Sequence, residues 1–208
     1  MNAAYGRSQR IFELASIALF VPLAAWGLWR LLAAAQLHFV VVLFLARPAA
    51  WLASDLLSGL AHWSLDTFGN TRTPFIGSAL IRPFREHHTH PEEMTRHDFV
   101  ETHGSSCFGA LPVLSAAAIV AVETWTGILA QAVLLFTGFG LLATNQCHKW
   151  AHMDESATPR FVRWAQRRWL VLPREHHRVH HTPPFDTHFC VSNGWLNSAF
   201  DAVLRAWR

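Results

Sequence analysis

The feature that most constrains this chain is a run of 24 consecutive residues, 124–147, that contains no charged residue and no histidine. A helix of about 20 such residues is long enough to cross the hydrocarbon core of a bilayer. Three further apolar stretches cover residues 11–29, 37–63 and 108–122, and the second of these is interrupted by polar residues. The pattern predicts an all-α integral membrane protein with four transmembrane helices arranged as two hairpins.

Basic residues indicate how these spans are oriented. The predicted turns at residues 30–38 and 123–126 hold one basic residue between them, whereas the N-terminus, residues 66–107 and the segment after His148 hold many. Because basic loops stay on the cytoplasmic side, these three segments are expected in the cytoplasm, at the inner membrane if the source is bacterial. The net charge of +3 gives no indication of nucleic-acid binding.

Histidine is the second anomaly, with 14 histidines beside a single lysine. Thirteen of the 14 fall on the predicted cytoplasmic face, six from His62 to His103 and seven from His148 to His188, and only His38 lies elsewhere. Burying so many imidazoles without partners would be energetically costly. A histidine-rich cytoplasmic cap that binds metal is therefore expected.

An amphipathic segment lies between Pro159 and Pro173. Its aromatic residues recur at near-helical spacing, and Arg163, Arg167 and Arg168 stand between them. This pattern is typical of a helix that lies in the membrane interface. An ordinary amphipathic helix on a small cytosolic core fits the pattern as well, and both interpretations bring arginines near phosphates.

The spacing of the histidines suggests metal ligands. His148 and His152 are four residues apart and so share one helix face, but Lys149 stands where a zincin motif has its catalytic glutamate, which argues against a metalloprotease. The adjacent pair His87 and His88 would need irregular backbone or a second metal for both to bind. Eight or more converging nitrogens indicate two ions, and imidazole ligands suit zinc, copper, iron and nickel.

The cysteines and carboxylates of the sequence limit which kind of metal site is expected. The three cysteines form no CxxC pair, so a thiolate zinc site is not indicated. Two irons held mostly by neutral histidines can activate dioxygen, and a site at the membrane surface suits attack on an unreactive C–H bond of a lipid chain. Carboxylates are expected to orient the rings by hydrogen bonds, and the candidates are Asp55, Asp66, Glu86, Asp98, Glu101 and Glu175.

Four segments resemble the plasmanylethanolamine desaturase family, also called the Kua or CarF family. They read DLLSGLAHWSLDTFG, IRPFREHH with TRHDFVETHG, NQCHKWAH, and LPREHHRVHHTPPFDTHFCVSNGWLN, and they span residues 55–197. The resemblance implies that residues 1–208 form a single membrane lipid desaturase domain with its motif-bearing core at 55–197. It also implies a di-iron centre that uses dioxygen and two electrons to place a vinyl ether double bond in an alkyl-acyl phospholipid, giving a plasmalogen.

The resemblance selects eight histidines as iron ligands. They are the ones that match both the animal-like and the more distant plant-like versions of the family: His62, His87, His88, His148, His152, His177, His180 and His181. His97 and His176 match only the animal-like version, so each is expected beside the site or as a substituted ligand. His90, His103 and His188 are expected to be solvated or hydrogen-bonded.

The sequence contains no dinucleotide, flavin or haem motif, so electrons are expected from a partner such as cytochrome b5 or ferredoxin. Arg163, Arg167, Arg168 and Arg174 are expected to dock that carrier or to hold the lipid phosphate. Within the enzyme class, an acyl-lipid desaturase or hydroxylase with the same ligands is the alternative. A membrane metal store or transporter and a regulatory membrane protein are alternatives from other classes.

Overall fold

A computed structural model describes residues 5–35 and 38–207, and within these ranges it is helical without β-strands. The predicted turn between the first two spans includes residues 36–37, which lie outside the described part. A single π-helical turn, Gly77–Ile81, and a 3₁₀ turn, Glu93–Arg96, flank α3. The α-helices are α1 Arg7–Ala35, α2 Phe39–Thr67, α3 Arg82–Thr89, α4 Phe99–Ile119, α5 Trp125–His152, α6 Arg160–Arg167, α7 Arg174–His180 and α8 Asn197–Trp207.

Three helices, α1, α2 and α5, are long and apolar enough to cross a membrane. Each has 28 or 29 residues, which corresponds to about 43 Å of helix and so extends past the hydrocarbon core at its ends. Exposed apolar side chains, among them Leu19 and Val21 of α1 and Phe44 of α2, face outward from the bundle. The prediction of an all-α membrane protein is confirmed, whereas a fourth crossing by the 21-residue α4 stays a prediction.

The four long helices do not pack in chain order. Helix α4 packs between α1 and α5, and α2 packs on the other side of α5, so α1 and α2 contact each other only slightly. Leu31, Val42, Leu114 and Leu135 are fully buried between these helices. Close approach of α2 and α5 requires Gly140, since a Cβ there would lie 2.5 Å from the Ser54 hydroxyl oxygen.

Polar side chains inside the bundle are bonded to backbone carbonyls. The Arg30 guanidinium donates to the carbonyls of Ala117, Ala118 and Val120 at 2.7–3.2 Å, which satisfies the C-terminal end of α4. The Gln131 amide of α5 donates to the Gly27 carbonyl of α1 at 2.9 Å. Backbone carbonyls in a bilayer need such partners because water is absent there.

One end of the bundle carries the remaining structure. The C-terminal ends of α2 and α5 and the N-terminal ends of α1 and α4 meet there, and α3, α6 and α7 cover them. Helix α6 forms within the predicted amphipathic segment, with Phe161 and Trp164 exposed. The segment after α6 is fixed by two indole N–H groups, of Trp195 to the Trp169 carbonyl at 2.7 Å and of Trp51 to the Leu170 carbonyl at 3.2 Å.

Candidate metal centre

Two groups of metal-ligating side chains lie side by side under α3 and α7. In each group the ligand atoms all lie within 4.8 Å of one another. The first group consists of His87, His148, His152, His177 and His181, and the second consists of His62, Asp66, His88 and His180. The structure therefore brings all eight histidines selected from the sequence into two clusters and adds one carboxylate.

In the first group, the Nε2 atom of His177 is the centre of the arrangement. It lies 2.8 Å from Nε2 of His148, 2.9 Å from that of His152 and 3.1 Å from that of His181, and His87 approaches His148 at 3.0 Å. A ring nitrogen has one hydrogen or one lone pair, so it cannot form three such hydrogen bonds. Ligand atoms about 2.1 Å from a common ion lie about 3.0–3.4 Å apart. The spacing therefore fits a shared metal ion.

The second group combines three imidazoles with a carboxylate. Nε2 of His62 and Nε2 of His180 are 3.1 Å apart. Oδ2 of Asp66 lies 3.0 Å from Nε2 of His88, 3.3 Å from that of His62 and 3.8 Å from that of His180. Nitrogen and carboxylate ligands together suit a first-row transition metal such as iron.

Adjacent histidines are divided between the two groups. His87 and His88 follow each other on the regular helix α3, where successive side chains point about 100° apart. His87 faces the first group and His88 the second, and His181 and His180 are divided in the same way. The sequence indicated that both residues could bind metal only with irregular backbone or with a second ion. The backbone of α3 is regular, and a second ligand group is present for a second ion.

Backbone carbonyls set the orientation of two rings. Nδ1 of His62 donates to the Phe189 carbonyl at 3.2 Å, and Nδ1 of His180 donates to the Thr187 carbonyl at 2.7 Å. When Nδ1 carries the hydrogen, the lone pair of the imidazole is on Nε2, which faces the second group. The loop at residues 187–189 thus orients both rings for metal binding.

Burial keeps the ligand rings neutral. Desolvation lowers the pKa of His87 and His177 well below the usual value for histidine. It also lowers the pKa of His180 and that of His181 to about 3. Neutral imidazole is the form that binds metal, so these side chains are ready to act as ligands at neutral pH.

Asp55 holds the loop that orients the rings. Its Oδ1 accepts the backbone N–H groups of Ser192, Asn193 and Gly194 at 3.0–3.1 Å, and its Oδ2 accepts that of Leu196 at 3.2 Å. The carboxylate is completely buried. Asp55 was expected to orient the rings, and the structure has it bonded to the loop backbone, with no hydrogen bond to a ligand ring among the described residues.

Three other carboxylates expected near the rings lie elsewhere. Asp98 and Glu101 form a capping box at the N-terminus of α4, and Asp98 also pairs with Arg10 at 2.7 Å. Glu175 pairs with Arg178 on the exposed side of α7. Only Asp66, of the predicted carboxylates, joins a group of metal-ligating side chains.

The remaining histidines stand outside both groups. His176 accepts a hydrogen bond from the Asn197 amide at 3.0 Å, and the Lys149 ammonium donates to the backbone carbonyl of His97 at 2.6 Å. The other three histidines expected to be solvated or hydrogen-bonded all have partners: His90 lies 2.9 Å from the Thr89 hydroxyl, His103 donates to the Leu142 carbonyl at 3.1 Å and His188 pairs with Asp201 at 3.2 Å.

The predicted arginines border α6 and α7. Arg163 donates to the Glu155 and Thr158 carbonyls, and Arg174 contacts the Asp154 carboxylate at 3.5 Å. Arg168 lies over the Trp164 ring, 5.9 Å from its centroid, and Arg167 is exposed. Arg167, Arg168 and Arg174 are exposed to solvent, and Arg163 is partly buried.

A cavity of about 470 Å³ opens beside the first group, and His87 and His148 form part of its wall. The N-terminal part of α1 forms another wall, where the buried Glu13 carboxylate accepts hydrogen bonds from the Tyr5 hydroxyl and the Gln9 amide. Sequence reasoning missed this cavity. The lone glutamate in an otherwise apolar span was the available signal.

The fold and the paired ligand groups define a class: a helical membrane protein with two adjacent histidine-rich groups, at one end of its bundle, that could each hold a metal ion. Within that class the chain belongs to the lipid desaturase family, whose domain matches residues 51–208. It is therefore a membrane-embedded oxidoreductase.

Named relatives support this assignment. The chain is 40% identical to plasmanylethanolamine desaturase of Myxococcus xanthus, over 96% of this chain and 70% of that protein. It is 40% identical to plasmanylethanolamine desaturase 1 of Mus musculus, over 100% of this chain and 78% of that protein. Similarity to the chloroplastic fatty acid desaturase 4 of Arabidopsis thaliana is lower, at 27% identity over 79% of this chain and 49% of that protein. No solved structure matches the chain significantly.

Proposed function

We propose that this protein desaturates the 1-O-alkyl chain of plasmanylethanolamine next to the ether oxygen, producing the vinyl ether of a plasmalogen. The observation that carries the proposal is the pair of adjacent ligand groups, which together hold all eight histidines of the family pattern, with a cavity that opens beside the first group. The two relatives named for this reaction are 40% identical to the chain, and the acyl-lipid relative is 27% identical. Residues 1–208 act as one desaturase domain with its motif-bearing core at 55–197.

The two ligand groups would each hold one iron ion. When bound, the pair would use dioxygen, two electrons and two protons to remove one hydrogen from each of two adjacent carbons, with two molecules of water as the other product. The chain itself presents neutral Nε2 atoms, and Asp66 adds one negative charge that offsets part of the charge of the ions. Burial of His177 and His180 keeps water from the centre.

The electrons come from an external one-electron carrier such as cytochrome b5 or ferredoxin. Arg163 and Arg167 are on α6, and Arg168 follows directly after it. Arg174 is the first residue of α7, which also carries His177 and His180. A cluster of guanidinium groups attracts an acidic carrier and also the lipid phosphates of the interface. In the proposed orientation this face of the membrane protein is cytoplasmic.

The test is expression in a host that lacks vinyl ether lipids. The host receives an alkyl glycerol, and acid-labile vinyl ether lipid is measured by mass spectrometry. We expect product from the wild type and none from His181→Ala, because that variant lacks one Nε2 atom of the first group. His38→Ala is the matched control, since His38 lies at the opposite end of the bundle against Trp125 and should leave the yield unchanged.

Three outcomes would contradict the proposal or a part of it. Folded, iron-loaded protein with a working donor that makes no vinyl ether would refute the ether-lipid assignment, and a new double bond in an acyl chain would favour the acyl-lipid alternative. Full activity in His181→Ala would remove that residue from the ligand set.

A further inference from the structure

The cavity beside the first ligand group has two chemically different ends. His87 and the buried His148 line its inner part, and the exposed Arg96 lies at its mouth together with the partly buried Arg82. Apolar side chains line the same space, including Leu80 and Phe84. A volume of about 470 Å³ falls in the range of small-molecule sites. The lining therefore suits a molecule with an anionic end and an apolar end.

The cavity lies where the bundle meets the polar membrane surface. Gln9 and Glu13 of α1 face into it, while Ile11 and Leu14 of the same helix turn are exposed on the outer surface of the bundle. Apolar side chains exposed on a membrane helix face lipid. A phospholipid in the surrounding leaflet thus has its headgroup at the height of this cavity.

Arg82 has donors to spare. Its guanidinium makes two long contacts, to Glu86 at 3.3 Å and to the Ser78 carbonyl at 3.4 Å, and the group has five N–H donors in all. Four glutamates share this lining. Glu86 pairs with Arg82, Glu101 caps α4, Glu13 bonds to Tyr5 and Gln9, and Glu93 begins the 3₁₀ turn. Arg82 therefore keeps unused N–H donors for an anion beside its ion pair with Glu86, and the exposed Arg96 can add a second guanidinium.

The spacing along α3 matches the proposed substrate. Arg82 and His87 are five residues apart on one helix, which corresponds to an axial rise of about 7.5 Å. In an alkyl-acyl phospholipid, six bonds of about 1.5 Å each separate the phosphorus from the first alkyl carbon, so the two atoms are at most about 8 Å apart. Because Arg82 and His87 line the same cavity, a phosphate bound by Arg82 leaves that carbon able to reach the part of the cavity that His87 lines.

We infer that this cavity binds the glycerophosphate part of a membrane phospholipid, with its phosphate on Arg82 and Arg96 and its ether-linked carbon directed toward His87 and His148. The inference rests on the proposed function for the identity of the chain that is oxidised. Arg82 and Arg96 are then positioning residues, because they fix which carbon reaches the ligand groups without touching it.

Lipid binding tests this without turnover. Purified full-length protein in detergent is titrated with 1-O-alkyl-2-acyl-phosphatidylethanolamine or with the matching alkyl-acylglycerol that lacks phosphate, and bound lipid is quantified by native mass spectrometry. We expect wild type to prefer the phospholipid. Arg82→Gln and Arg96→Gln should each weaken phospholipid binding about tenfold, the effect of losing one charge-assisted hydrogen bond, and leave alkyl-acylglycerol binding unchanged.

Two further variants control for charge and folding. Arg72→Gln removes an equally charged side chain from the exposed loop outside the cavity and should bind like wild type. Arg82→Lys keeps the charge but loses the planar fork and should fall between wild type and Arg82→Gln. Arg96 is exposed, so its variant is expected to fold even where Arg82→Gln does not.

Each remaining outcome decides the question. Equal binding of both lipids by wild type, or unchanged phospholipid binding in Arg82→Gln and Arg96→Gln, would overturn the inference. Full displacement by water-soluble glycerophosphate would reveal an anion site and not a lipid site. If phospholipid binding depends on Arg82 and Arg96 as expected, but expression in the host that lacks vinyl ether lipids yields no vinyl ether with a working electron donor, the cavity assignment stands and the reaction assignment fails.

Discussion

Replacing Asp55 should loosen the second ligand group although Asp55 touches none of its rings. The carboxylate accepts four backbone N–H groups from residues 192–196, in a fully buried position. In Asp55→Ala these four donors lose their partner, and each unsatisfied buried donor costs about 1–3 kcal/mol. We expect a loss of stability of about 4 kcal/mol, which is the lower limit of the sum for four donors. The lower limit applies because the loop can relax and admit water.

Asp55→Asn is the more informative variant. It keeps an oxygen for the three N–H groups that Oδ1 accepts, but its amide N–H₂ group opposes the N–H of Leu196. We expect a loss of about 2 kcal/mol. The loop then holds the Phe189 and Thr187 carbonyls less firmly, so His62 and His180 lose the hydrogen bonds that orient them.

Iron content and thermal stability check this reasoning. Asp55→Asn should retain the membrane fold and the iron of the first group but lose most iron from the second, so the ratio falls from two toward one iron per chain. The melting temperature should fall by about 4–8 °C. Ser54→Ala is the matched control on the same helix, because the buried Ser54 hydroxyl donates to the Trp51 carbonyl of α2 itself at 2.9 Å and not to the loop. Two irons per chain in Asp55→Asn, with an unchanged melting temperature, would refute the argument.

Two other predictions concern packing and capping. Gly59→Ala would bring a Cβ within 2.5 Å of the Cys190 sulfur and 3.3 Å of its backbone nitrogen, so it should destabilise the protein by about 1–3 kcal/mol in thermal unfolding, and a wild-type melting temperature would contradict the close approach. Asp98→Ala removes the cap of α4 and the ion pair with Arg10, and should cost about 1 kcal/mol. Its iron content should stay at the wild-type value, and loss of iron would indicate that Asp98 does contact the metal centre.

The apolar helices and the gathering of eight histidines could be predicted from the sequence for different reasons. Long apolar runs have few structural alternatives, so residues 11–29 lie inside α1 and residues 125–147 lie inside α5, with Thr124 as its N-cap. The helices extend beyond these runs because backbone hydrogen bonding continues after the apolar residues end. The eight histidines followed from a family resemblance, which selects positions without stating which of them meet.

The distribution of ligands between the groups could not be predicted, because it depends on where α3 and α7 lie relative to α2 and α5. It was harder still to predict which carboxylates contact a ligand ring. Asp98 and Glu101 have the D-x-x-E spacing of a helix capping box, and that local signal competed with the expected contact to a ring. The carbonyls of Thr187 and Phe189 carry no side-chain signal at all.

The division of adjacent histidines also explains why the two groups must stay close together. Helix α3 supplies His87 to the first group and His88 to the second. Helix α7 supplies His177 to the first group and His180 to the second, and His181, which follows α7 directly, belongs to the first. Adjacent helical residues have Cα atoms 3.8 Å apart, so each helix bridges the groups through a rigid local geometry. A shift of either helix would therefore disturb both ligand groups at once.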